Sequence, residues 1–167
     1  MRPREASCAR YSIAGLLRDA AAFDGAMFLG IARLARRDPY RLQMFAEHLA
    51  EDERPLILLP IRGGTLVATD RRLLELRAHL EVHGAWNVRQ FQGYAIHREI
   101  ERTAAREIVH EVRSTSDASG GRLVDDEVVV ATERGREVFL VSRGPEPTLS
   151  EADFDALRGT VLGRHPK

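Results

Sequence analysis

The sequence predicts an α+β fold: a run of about seven short strands, followed by a C-terminal helix and preceded by a helical segment. Three stretches carry the prediction. Leu74, Leu76, Ala78, Leu80 and Val82 alternate with Glu75, Arg77, His79 and Glu81, a period of two that leaves one strand face apolar and one wet. Upstream, Leu56–Ile61 and Thr65–Thr69 are short apolar runs on either side of Gly63-Gly64, whose glycines suit the positive φ of a two-residue hairpin turn. Downstream, Ser150 precedes a stripe of Phe154, Leu157 and Val161 that stops at Gly163, which marks both ends of a helix.

The elements follow in order. Ser12 can cap a helix carrying Ile13, Leu16, Leu17 and Ala20, with Asp24-Gly25 as a soft spot. Met27, Phe28, Ile31, Leu34 and Ala35 make a second helical stripe that ends in Arg36-Arg37. Asp38-Pro39 opens a third helix, a capping carboxylate before proline at the first helical position, with Leu42, Phe45 and Leu49 on one side and Glu51-Asp52-Glu53 at its end. Pro60 donates no ladder hydrogen bond, so it belongs at an edge or a bulge. Asp70 starts the turn into the alternating strand by accepting from backbone N–H groups two residues on. After a turn at His83-Gly84-Ala85, Trp86–His97 forms a strand with a bulge at Gly93, and Arg106–Thr115 forms another. Val128–Ala131 and Val138–Val141 flank Glu133-Arg134-Gly135 as a hairpin. Both are apolar on both parities, so something is expected to cover their second face. In the last helix, Asp153 stands at the third position after Ser150, as in a capping box, and Leu149 can touch Phe154 as a hydrophobic staple.

Gly64-Thr65-Leu66-Val67-Ala68-Thr69-Asp70-Arg71-Arg72-Leu73-Leu74 resembles the strand–turn–strand signature of bacterial PH-like (pleckstrin-homology-like) domains. The resemblance implies a strongly bent antiparallel sheet, or partly open barrel, of about seven strands capped by the C-terminal helix. It divides the chain into an N-terminal helical segment, 1–53, and a PH-like domain, 54–167. It also makes self-association plausible. Phosphoinositide-binding PH domains carry several basic residues around their first hairpin, whereas Ile61–Thr65 offers only Arg62. The resemblance therefore favours a protein or peptide partner, or a homo-oligomer, over a lipid headgroup.

Composition narrows the function classes. Twenty-five basic residues balance twenty-five acidic ones, and the zero net charge argues against a nucleic-acid binder. Cys8 is the lone cysteine, so no intrachain disulfide forms, and it has no local base to make it a nucleophile. Arg18 and Asp19 interrupt any signal-peptide core and no apolar run reaches membrane-spanning length, so a cytoplasmic protein is expected. His79 and His83 would have metal-ligand spacing on a helix, but on a strand they stand about 13 Å apart, so neither metal nor cofactor is expected. Ser142 and Ser150 lack a nucleophile-elbow context.

The expected function is a non-catalytic binding or scaffolding module, with Arg62, Arg77, His79 and Trp86 as candidate contact residues. Two alternatives stand beside it. A small enzyme would need a site dispersed over His97, His110 and Glu107. A membrane-surface adaptor would use Arg33, Arg36, Arg37 and Arg41, although a solvated helix end explains that cluster more simply.

Overall fold

The computed structural model describes residues 20–33, 37–83 and 88–163, apart from the side chains of residues 83 and 88. The expected helix over Ile13–Leu17, the turn at Gly84-Ala85 and the position of Trp86 lie outside these residues.

Among the described residues, eight strands form two open sheets, followed by a C-terminal helix. The strands are β1 (Met27–Phe28), β2 (Pro55–Ile61), β3 (Gly64–Thr69), β4 (Arg72–His83), β5 (Val88–Glu101), β6 (Glu107–Ser116), β7 (Arg122–Thr132) and β8 (Gly135–Gly144). Helix α1 spans Pro39–Ala46 and helix α2 spans Glu151–Leu162. The first sheet has the order β1-β2-β3-β4-β5 and the second β6-β7-β8. Neither closes into a barrel among the described residues. The α+β class is as expected. The single antiparallel sheet of about seven strands is not: there are two sheets, and the first is mixed.

The mixed character comes from Met27 and Phe28. Their apolar spacing reads as helix, yet they pair in parallel with Ile57 and Leu58, and the Leu29 N–H donates to the Leu58 carbonyl at 2.9 Å. The outer edge of β2 would otherwise bury unpaired backbone groups, which outweighs a weak local helical preference. Among the described residues, 3₁₀ turns at Ala21–Phe23 and Gly30–Arg33 stand on either side of this strand. Pro60 stands at the rung after the Leu29–Leu58 bond, where its missing N–H lets the parallel ladder go no further.

The turns show which residues do the local work. The β2–β3 turn is Arg62-Gly63, one residue earlier than expected, with Gly63 at φ 83° and Ile61 paired to Gly64. Gly64 serves a different purpose, because a Cβ there would stand 2.4 Å from the Leu76 carbonyl oxygen. At the β3–β4 turn the Thr69 hydroxyl oxygen accepts from the N–H groups of Arg71 (3.1 Å) and Arg72 (2.9 Å). Asp70 does not act as expected; its carboxylate accepts from the Arg54 N–H at 2.9 Å. Gly93, at φ 107°, sits in a β5 bulge as predicted, and His97 occupies a second bulge.

The first sheet is covered on both faces. One face carries Ile57, Leu59, Leu66, Leu73 and Ile100 and packs with Ile108, Val128, Val130 and Phe139 of the second sheet and Phe154, Leu157 and Val161 of α2. The other face carries Leu58, Val67, Leu74 and Leu76 and packs under Ala20, Phe23, Ala26, Leu42 and Phe45. The N-terminal apolar stripes therefore cover the first sheet, and not the β7–β8 hairpin whose second face prompted the expectation of a cover. On that hairpin's outer face Val129 is buried while Arg113–Glu127 and Arg136–Glu111 ion pairs bridge the strands on either side of it.

Helix α2 starts at Ser150, whose hydroxyl oxygen accepts from the Asp153 N–H at 3.1 Å, and stops at Gly163 in the left-handed region. Asp153 does not complete a capping box. Its buried carboxylate accepts from the Gly30 N–H at 2.9 Å and pairs with Arg33, pinning the N-terminal turn to α2. Asp153→Ala strands that N–H and is expected to cost about 1–3 kcal/mol, a fall in Tm of roughly 3–10 °C by thermal melt. Arg33→Gln, at an exposed guanidinium, is expected to cost under about 1 kcal/mol.

Candidate interaction surface

β3 pairs with β4 only from Leu73 to Leu76, while β4 and β5 pair along their whole length. From Arg77 to His83, and back from Val88 to Ala95, the two strands run on beyond β3 as a ribbon. The register puts Ala78, Leu80 and Val82 on one face of it, opposite Tyr94, Phe91 and Arg89 respectively. Ile96, opposite Leu76, joins the same face.

The alternation therefore has the expected phase, but not the expected burial. Leu74 and Leu76 are buried at 0 and 1% exposure, while Leu80, Val82, Phe91 and Ile96 are exposed at 47, 57, 46 and 37%. The core cover ends at Phe45, whose ring meets Tyr94 edge-on at 4.7 Å; Tyr94 in turn meets Phe91 at 5.4 Å. The aromatic row runs from the core out into solvent. His48, just after α1, holds the Tyr94 end through a 2.7 Å bond between its Nε2 and the Tyr94 carbonyl.

The supposedly wet face of β4 is also corrected. Glu75 is fully buried, its carboxylate held between Arg77 (Nε at 2.7 Å) and Arg98. Burial alone would push this carboxyl up, but the hydrogen bonds from Arg98 and Arg77 outweigh it and hold it below the ordinary range. Arg98 continues across to the second sheet: it bonds Glu137 at 3.1 Å and the Val138 carbonyl at 2.8 Å, and lies over the Phe139 ring at 4.2 Å. A second buried carboxylate, Glu53, anchors the loop after α1. It accepts from Arg72 Nε and Nη2 (both 2.8 Å), the Thr69 hydroxyl (2.7 Å) and the Ala50 N–H (2.8 Å).

The predicted contact residues are scattered over this framework. Arg62 is exposed at the β2–β3 turn, whose N–H donates to the Leu140 carbonyl of β8. Arg77 is committed to Glu75. His79 is exposed on the ribbon with its Nε2 3.9 Å from Glu81. Trp86 and the side chain of His83 fall outside the described residues. Of the basic cluster, Arg33 pairs with Asp153 and Arg37 approaches Asp24 at 3.4 Å. Arg41 is exposed and Arg36 is not described.

The dispersed trio is not gathered at one point. His110 and Glu107 point to opposite faces of β6 by parity, and His97 sits in the other sheet. His110 is tied by its Nε2 to Asp126 at 2.5 Å and lies against Phe154. Asp126 also accepts from the N–H groups of Thr148 (2.7 Å) and Leu149 (2.8 Å), which fastens the approach to α2 onto β7. Among the described residues, no group of three or more His, Cys, Asp or Glu is placed to hold a metal ion, and no helix is long and apolar enough to cross a membrane.

What sequence reasoning missed is the exposed apolar row itself. Its signal was present as the alternation at 74–82 and the aromatics at 91 and 94, but alternation marks the apolar face without saying what covers it. Comparison with protein-family models, curated proteins and solved structures finds no match to this chain.

Proposed function

We propose that the chain is a non-catalytic binding module of PH-like architecture that assembles through the apolar face of its β4–β5 ribbon, with a second copy as partner. The observation that carries the proposal is the row Leu80, Val82, Phe91 and Ile96, apolar on one face of a projecting ribbon and left in solvent. A two-stranded ribbon alone is marginal in water, and a contiguous exposed apolar row of this kind marks a contact surface. The PH-like part of the reading is supported by the order of elements: β2 to β8 are seven consecutive strands, antiparallel within each sheet, followed by a helix.

Charge favours a second copy. Arg89 flanks the row at one end; Glu101 and Glu99 flank it at the other, on the same face by register with Val82, Arg72 and Leu74, and Glu99 is paired with Arg72 at 2.9 Å within the chain. All three are exposed. A two-fold contact presents the same patch twice, and running the ribbons in opposite directions sets each Arg89 against the other copy's Glu101. Sedimentation of the full chain at micromolar concentration is expected to show a dimer. Phe91→Asp, a change at an exposed site, is expected to give a folded monomer with an unchanged far-UV spectrum. A wild-type chain that stays monomeric at 100-fold higher concentration rejects self-assembly and leaves a different protein or a peptide as the partner.

A further inference from the structure

A separate recess opens on the N-terminal side of the first sheet, away from the ribbon tip. It holds about 200 Å³ between the Gly30–Arg33 turn, the first turns of α1 and the strands β2 and β3. Its walls are Phe28, Leu42, Phe45, Leu58 and Pro60. Gly64 and Thr65 of β3 close its floor. For comparison, an apolar cavity of about 150 Å³ is enough to take benzene.

Two guanidinium groups stand among its lining residues. The Arg37 Cζ lies 4.6 Å over the Phe28 ring, so its charge is held against an apolar wall. Its 3.4 Å approach to Asp24 joins two exposed side chains, a contact that water and salt screen readily. The Arg41 guanidinium makes no hydrogen bond or ion pair with a described residue. One carboxylate, Asp38, also lines the recess, and it is spent on the helix start, accepting from the N–H groups of Tyr40 (3.0 Å) and Arg41 (3.4 Å). An apolar body with one negative head matches these features: the body leaves water for the recess, and the head meets two fork-shaped donors.

We infer that this recess, walled by Phe28, Leu42 and Phe45 with Arg37 and Arg41 beside it, binds a small apolar monocarboxylate of about the size of phenylacetate. The two arginines were legible in the sequence as part of a basic cluster; the structure separates them from Arg33, which faces Asp153. The site is distinct from the ribbon row and stands or falls without it.

The test is an NMR titration of the full-length protein at pH 7 with phenylacetate and, separately, with its neutral isostere phenylacetamide. Phenylacetate is expected to saturate, with intermolecular NOEs to the Leu42 methyls and the Phe45 ring. Phenylacetamide is expected to bind about ten-fold more weakly, because it loses the charge-assisted bonds. Arg37→Gln and Arg41→Gln are each expected to weaken the acid several-fold and leave the amide unchanged, with amide spectra confirming that both variants stay folded. Absence of saturation by phenylacetate at tens of millimolar overturns the inference. So does equal affinity for acid and amide, or NOEs that fall outside the recess.

Discussion

Leu76→Asp is expected to leave little folded protein at 25 °C, whereas Leu80→Asp, on the same strand and the same face, is expected to leave the fold intact. Leu76 is 1% exposed and packs with Val67, Leu74 and Phe45; Leu80 is 47% exposed on the ribbon. Removing the Leu76 side chain alone costs about 2–5 kcal/mol. The new carboxylate would be desolvated without a cation in that cluster, which adds several kcal/mol more. The sum reaches the whole stability of a typical domain, roughly 5–15 kcal/mol. At Leu80 the carboxylate stays in water. Melts followed by circular dichroism decide between them. Equal damage at both positions would mean that the ribbon row is covered within the chain, and would remove the contact surface proposed above.

The contrast between these two leucines also shows how far the sequence can be read. Strand phase is local information: side chains alternate whatever surrounds them, so the apolar parity of 74–82 could be assigned correctly. Coverage is not local. It depends on Phe23 and Phe45 arriving over Leu74 and Leu76 and stopping short of Leu80, and these are contacts across about thirty to fifty residues of chain. The same reasoning applies to Glu75. Its parity placed it with the wet residues, and a lone carboxylate belongs there. Arg98 alters that, twenty-three residues away on β5, by supplying the charge that lets Glu75 be buried. β1 was missed because Met27 and Phe28 read as the start of a helical stripe; pairing with the edge of β2 makes them a strand. The ends of α2 were legible because caps act through neighbours one to four residues away, yet Asp153 was misassigned because its partners lie more than a hundred residues off. Of the candidate residues, Arg37 and Arg41 were brought to one recess, while Arg62 and Arg77 were placed on separate duties.

Glu53 offers the second large effect, and its pH dependence has a definite sign. Burial tends to raise this carboxyl, but the hydrogen bonds from Arg72, the Ala50 N–H and Thr69, together with the Arg72 charge, prevail and bring it from 4.5 down to about 2. The folded state therefore holds its proton more weakly than the unfolded chain. Stability from Glu53 is fully present above about pH 4.5 and is lost as the pH falls from there toward 2. A shift of this size corresponds to about 3 kcal/mol at neutral pH. Arg72 is pushed up by the same pair and stays charged throughout the window, so it adds no slope of its own. Glu53→Ala leaves the Arg72 guanidinium, mostly buried, with only Glu99 and the His48 carbonyl, and leaves the Ala50 N–H without its carboxylate. The expected cost at pH 7 is about 3–5 kcal/mol, which for a chain of this length is a fall in Tm of roughly 10–15 °C. Urea midpoints at pH 7, 4 and 2.5 should converge for wild type and variant as Glu53 becomes protonated. A gap between them that stays constant down to pH 2.5 would show that the carboxylate acts through packing and not through its charge.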